Sequence, residues 1–380
     1  MSRLTRLVDA LSRPGATTSP RFEEATRLMR SGQLTAATAS LQRALGGGLP
    51  GGGLPGAGLG GSGLGGSGFG GTGLAGGMPG LGGLPGMSGF AGGLGGATRP
   101  SSDATRSPGS VTRGAVGSLA YRVYVPTAPQ RPAPMMVMLH GGTQDADAFA
   151  ASTGMDEVAE REGIVVVYPE QSRSANAMGY WNWFRPGDQE RDHGEPALIA
   201  AVTREVADAH DVDPGRIGVA GFSAGAAMAA VLAATHPDLF CGAGVHSGLP
   251  YRAARDVGSA FAAMSSPPST VADAGPVPLI VVHGDADRTV APGNADAVVR
   301  SAVGRAQGAQ KERETGGGDG GRSWTRERWS EPGGRVLAES WTVHGMGHDW
   351  SGGRAGASYA DPSGPDVATA IVTFLGMTRS

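Results

Sequence analysis

The sequence predicts a three-layer α/β domain on a mainly parallel sheet, and three observations predict it. From about residue 110 onward, short apolar runs alternate with helical segments over roughly 270 residues. One of those runs, Arg216-Ile217-Gly218-Val219-Ala220, leads directly into Gly221-Phe222-Ser223-Ala224-Gly225 and then into an alanine-rich stretch without a helix breaker. Lastly, a serine, an aspartate and a histidine follow the ends of successive runs, where open α/β sheets carry their ligand sites.

The chain begins with a different pattern. Leu4, Leu7, Val8 and Leu11 sit at helical spacing, as do Leu34, Ala37, Leu41 and Leu45, with a helix at about 21–30 ended by Ser31-Gly32. Residues 1–45 are therefore expected to form a short helical leader. It is too small for its own core, so it should dock on the α/β domain, a second copy, or a granule or protein partner, unless it is a loosely ordered amphipathic segment.

Residues 46–110 are expected to be a Gly-rich, low-complexity flexible linker. From 46 to 96 the chain is almost entirely Gly with Leu, Pro, Met, Ala, Ser and Phe, and that little side chain does not offset the entropy of ordering glycine. The uncharged block carries recurrent Leu, Met and Phe, so adhesion to an apolar polymer or granule surface is weighed against a passive tether.

The α/β domain is expected over 111–380. Residues 119–125 alternate as an antiparallel edge strand should, and 135–139, 164–167, 279–282 and 336–343 read as further strands. Helices are predicted at about 147–161, 195–210, 224–235, 294–305 and 366–375.

Charge and cysteine content narrow the classes. Net charge is −3, and charged residues make up 17%, below the roughly 25% of ordinary globular chains. No basic patch or acidic tail points to nucleic acid. The single cysteine, Cys241, cannot form an internal disulfide. Charges run through the first twenty residues where a signal peptide needs an apolar core, and no run approaches the ~20 apolar residues of a transmembrane segment. These features predict a soluble, cytoplasmic protein.

With 67 glycines in 380 residues, the bare pattern Gly-x-Ser-x-Gly carries little weight, but its strand-to-helix setting is that of a nucleophile elbow. The setting makes Ser223 the candidate nucleophile, the alternative being a small-residue turn without chemistry. A serine needs a base within hydrogen-bond reach. His348, in the glycine-rich loop after the last strand, is preferred to His344 at the strand end. Asp287 is preferred to Asp285 as the carboxylate that orients the base, Asp285 reading better as a turn residue.

The N–H groups of Ala224, beside the nucleophile, and of Gly142, in the loop His140-Gly141-Gly142-Thr143, are the candidate oxyanion donors. Aromatic residues are only 6% of the chain, so Tyr180-Trp181-Asn182-Trp183-Phe184 is conspicuous. Trp181 and Trp183, with Trp350 beside His348, form either a substrate wall or a packed lid or core.

With these residues assembled, the chain resembles the PHB depolymerase family of esterases over roughly residues 110–376. The likeness rests on Leu139-His140-Gly141-Gly142-Thr143-Gln144, Val167-Tyr168-Pro169-Glu170-Gln171, Trp181-Asn182-Trp183-Phe184, Ala220-Gly221-Phe222-Ser223-Ala224-Gly225, Val245-His246-Ser247-Gly248-Leu249-Pro250, His283-Gly284-Asp285-Ala286-Asp287 and Gly347-His348-Asp349-Trp350-Ser351-Gly352-Gly353. It implies an α/β-hydrolase fold, ester hydrolysis without cofactor or metal, and Ser223, Asp287 and His348 as the triad. Similar enzymes act on poly(3-hydroxybutyrate), or on feruloyl and acetylxylan esters of carbohydrates. Relatives often have cysteine where this chain has Gly142 and Tyr180.

The resemblance thus implies a serine esterase without fixing its substrate, and polyhydroxyalkanoate or its short oligomers is the preferred class. The alternatives are a feruloyl or acetylxylan type of carbohydrate esterase, and a non-catalytic protein that binds polymer granules. Family association also provides an extracellular alternative to the cytoplasmic expectation.

Overall fold

The strands and helices of the α/β domain close around a single ten-stranded sheet. The computed structural model describes residues 107–379 except 305, 318 and 319. The expected leader at 1–45, and the expected linker up to residue 106, lie outside the described residues.

In chain order the sheet strands are β1 (Ser110–Val116), β2 (Leu119–Val125), β3 (Ala133–Leu139), β4 (Val165–Glu170), β5 (Val212–Phe222), β6 (Gly242–His246), β7 (Leu279–Gly284), β8 (Gln310–Gly316), β9 (Trp324–Ser330) and β10 (Val336–Val343). They lie in the order β1-β2-β4-β3-β5-β6-β7-β10-β9-β8. The run from β4 to β10 is parallel, and an antiparallel pair flanks it on each side. This is the α/β-hydrolase architecture.

Parallel strands joined by crossover helices are covered on both faces, which is why they read as unbroken apolar runs. In β3, Met135, Val137 and Leu139 face one core, and Met136 and Met138 face the other. Leu279 and Val281 of β7 divide from Ile280 and Val282 in the same way. The first core packs against α3 (Gly194–Ala209), α4 (Ala224–Thr235), α5 (Val257–Ser265) and α6 (Gly293–Val303). The second packs against α1 (Ala146–Thr153), α2 (Met155–Glu162) and α7 (Val367–Phe374). Alanine dominates α4, which is buried almost throughout, because small side chains let the helix lie close to the sheet.

The fold departs from the sequence expectations in three ways. Residues 119–125 are not an edge strand, because β1 pairs outside them, and its polar, exposed sequence hides it from an apolar pattern search. The helix expected at 147–161 is two helices, since Gly154 takes a left-handed φ of 65° between α1 and α2. β6, β8 and β9 and helix α5 were not anticipated. β8 reads Gln-Lys-Glu-Arg-Glu-Thr-Gly, and its charges suit an exposed edge that must not recruit another strand.

Among the described residues, no helix is long and apolar enough to cross a membrane. Phe149 of α1 is fully buried and meets Trp350 edge-on at a centroid distance of 5.6 Å. Phe149→Ala is expected to cost ~3–5 kcal/mol, seen as a lower urea midpoint with an unchanged m-value.

Candidate active site

The turn between β5 and α4 places Ser223 at φ 54° and ψ −116°, a strained conformation for a residue with a side chain. Neighbouring hydrogen bonds hold it there: Ser223 N–H donates to His246 O at 2.9 Å, and Ala227 N–H donates to Ser223 O at 3.0 Å. The flanking glycines are a steric requirement. A Cβ on Gly221 would overlap the backbone of Gly225, and one on Gly225 would overlap the carbonyls of Leu139 and His140. Ala224 opens α4, so its N–H is one of those a helix leaves without an intrahelical acceptor.

Three side chains from separate strand ends meet at this turn. His348 Nε2 lies 3.0 Å from Ser223 Oγ, and His348 Nδ1 lies 2.7 Å from Asp287 Oδ2. The Asp287 carboxylate only accepts, so Nδ1 carries the ring proton and Nε2 is left to accept from the serine hydroxyl. Asp287 Oδ1 accepts from Thr289 N–H at 2.8 Å and Val290 N–H at 2.9 Å. Burial alone would push the Asp287 carboxyl up, but the imidazoles of His348 and His283 outweigh it and hold the group well below the usual carboxylate range.

Asp285 is engaged elsewhere. Its carboxylate takes His344 Nδ1 at 2.8 Å and Gly345 N–H at 2.6 Å, and His344 Nε2 lies 3.0 Å from Thr325 Oγ1. The geometry therefore pairs Asp287, not Asp285, with the candidate base.

The loop carrying His348 is anchored on a second histidine. Trp350 stacks on His246 at 4.8 Å and an interplanar angle of 22°, and Ser351 N–H donates to His246 Nε2 at 3.1 Å. Burial, reinforced by the imidazoles of His283 and His348, pushes His246 well down, so it is neutral and free to accept. His348 itself packs beside Phe222 at 4.8 Å and Tyr359 at 6.4 Å, and those two rings touch each other at 5.9 Å. Tyr359 has a φ of 53°, unusual for an aromatic residue, and no sequence signal marks it.

The loop after β3 is held from beneath. His140 is buried; its Nδ1 bonds Gly141 O at 2.8 Å and its Nε2 accepts from Gln171 N–H at 3.0 Å. Burial lowers its pKa to about 4, which keeps the ring neutral as that acceptor role requires. Gln144 Oε1 accepts Gly141 N–H at 3.0 Å, and Tyr180 packs so closely over Gly142 that a Cβ there would overlap its ring.

The expected substrate wall of Trp181, Trp183 and Trp350 is corrected by burial. Their exposures are 0%, 5% and 0%, which leaves them no face for a ligand. Trp181 donates its indole N–H to His140 O at 3.1 Å, Trp183 packs edge-on to Phe184, and Trp350 stacks on His246 as described. They are the floor under the site loops, where large rigid rings fix the backbone above them.

Beneath that floor lies Glu195, which accepts from Asn182 N–H at 2.6 Å, Asn182 Nδ2 at 2.5 Å and Gln171 Nε2. Burial and the nearby Asp188 raise its pKa from 4.5 to about 7. A carboxyl raised on folding binds more protons in the native state, so its contribution is greatest below its unfolded pKa of 4.5 and is lost as pH climbs to about 7. On that basis the wild type is expected to lose on the order of 3 kcal/mol relative to Glu195→Gln between pH 4.5 and 8. Urea midpoints across that range check it.

Residues 119–317 match the family described as Esterase PHB depolymerase. Poly(3-hydroxyalkanoate) depolymerase C of Paucimonas lemoignei is 36% identical over 246 residues, covering 61% of this chain and 58% of that protein, so the match spans little more than half its length. A protein named putative esterase NocK, of Nocardia uniformis subsp. tsuyamanensis, is 31% identical over 283 residues, covering 67% of this chain and 77% of that one. The fold is that of the solved acetyl xylan esterase from Aspergillus awamori, with a TM-score of 0.54 and 18% identity over 71% of this chain and 100% of that one. Fold, motifs and sequence match together establish that this chain belongs to the PHB depolymerase family of esterases.

Proposed function

We propose that the protein is a serine carboxylic-ester hydrolase acting on polyhydroxyalkanoate or its short oligomers. The observation that carries the reading is the unbroken hydrogen-bond relay from Ser223 Oγ through His348 to the buried Asp287 carboxylate, beside the N-terminus of α4.

In this reading His348 Nε2 takes the hydroxyl proton as Ser223 Oγ attacks the ester carbonyl carbon. The carbonyl oxygen becomes an oxyanion that accepts from the N–H groups of Ala224 and Gly142. Collapse of the tetrahedral adduct breaks the ester C–O bond, and the leaving alkoxide takes the proton from His348. Water then enters, gives a proton to His348 Nε2 and attacks the acyl-enzyme, and Ser223 leaves with that proton restored. Asp287 stays ionised throughout and holds the imidazole by Nδ1.

A polyester of hydroxyacids presents an ester at every repeat, and the match to a poly(3-hydroxyalkanoate) depolymerase supports that substrate class. The burial of Trp181, Trp183 and Trp350 weighs against a carbohydrate ester, which would use exposed indoles for stacking.

Purified protein is expected to cleave 3-hydroxybutyrate oligomers with a higher kcat/KM than methyl ferulate or acetylated xylan; the reverse order would overturn the substrate reading. Ser223→Ala, with unchanged circular dichroism, is expected to lose turnover by several orders of magnitude, ~10⁴-fold or more. Gly142→Val displaces the Tyr180 ring or the loop itself, and kcat is expected to fall ~10²–10³-fold, the cost of one misplaced oxyanion donor.

A further inference from the structure

The Asp287 carboxylate has a second imidazole on it that the relay does not use. His283, in β7, is 2% exposed, and its Nε2 lies 3.0 Å from Val290 O and 3.2 Å from Asp287 Oδ2, the same oxygen that His348 contacts. Both neighbours are acceptors, so Nε2 carries the ring proton and shares it between them. Nδ1 is buried with no hydrogen-bond partner among the described residues, a cost that a purely space-filling side chain would avoid.

We propose that His283 is a positioning residue that holds Asp287 Oδ2 in the direction the His348 imidazole requires. The inference rests on the Ser223–His348–Asp287 reading above. The main-chain N–H groups of Thr289 and Val290 fasten only Oδ1. Without a second donor, Oδ2 is free to swing about that anchor, and with it the base. His283 is suited to prevent this because it stands within a strand, opposite Thr342 of β10 in register, and because its bond to Val290 O ties the same loop from the other side.

The ionisable groups around this pair are few. His246, next to β7 in the sheet, is kept neutral by burial; His348 is the base; Asp349, adjacent to it in sequence, is raised by burial; and Asp285 is engaged by His344. Asp287 therefore shares its charge mainly between His283 and His348. With His283 gone, more of that charge falls on His348, so its protonated form is favoured and activity should need a higher pH.

The test uses the full chain with p-nitrophenyl butyrate, comparing wild type with His283→Leu, His283→Asn and His283→Gln. Leu removes the donor and Asn is too short to reach, whereas the Gln amide nitrogen stands close to the position of Nε2. Leu and Asn are expected to lower kcat about 10–100-fold at near-constant KM. They should also move the acidic limb of the kcat/KM profile up by ~0.5 pH unit or more, with Gln restoring both. If Leu does not fold, the contrast between Asn and Gln decides alone.

Wild-type kcat and an unmoved limb in folded Leu or Asn variants would overturn the inference. So would a loss that Gln does not restore. Ser223→Ala run alongside separates the failures: persisting turnover there sinks the relay itself, whereas its loss beside normal His283 variants sinks only the role of His283.

Discussion

A buried negative charge beyond the end of β7 is the constraint around which the site is arranged. The Asp287 side chain is fully removed from solvent, and a carboxylate so placed is strongly disfavoured unless donors replace its water. Two main-chain N–H groups and two imidazoles supply them. This has a structural consequence as well as a chemical one. The turn from Gly284 to Val290 must wrap around the carboxylate to present its N–H groups, and the His348 loop must come down onto it. Once Asp287 is satisfied, the direction of the imidazole is decided and its free nitrogen faces the serine.

The serine side of the relay is held by packing rather than by charge. Thr143, Ser223 and Ser247 follow β3, β5 and β6, and all have positive φ, as does Tyr359 beside His348. Such conformations cost on the order of 1–3 kcal/mol each and persist only where the surroundings over-determine them. Here the surroundings are a sheet covered on both faces and a floor of buried aromatic rings. That floor also explains why neutral histidines recur. His140 and His246 both sit where a main-chain N–H needs a nitrogen acceptor, and burial keeps them unprotonated so that they can provide it.

Most of the parallel core was legible because strands buried on two faces must be apolar at every position, as in Met135–Leu139 and Leu279–Val282; β6, Gly-Ala-Gly-Val-His, was not, because its small residues make no apolar run. The elbow was legible because only very small residues at 221 and 225 avoid collision with backbone. The outer strands were not, since β1 and β8 expose most of their side chains and carry no apolar period. At the site, the order of serine, aspartate and histidine, each following a strand end, pointed to Ser223, Asp287 and His348. The tryptophans left a substrate wall and a packed core equally open because abundance near a site does not say which way a ring faces, and burial decides for the core. Tyr359, His246 and His283 act through contacts between segments far apart in the chain, which spacing along a sequence does not encode.

Covalent capture tests whether Ser223 is an activated nucleophile. The protein would be incubated with a fluorophosphonate ester at neutral pH, and the adduct counted by intact mass and located by peptide mass spectrometry. One adduct per chain, on Ser223, is expected. An adduct on another serine, or none on folded protein, would contradict it.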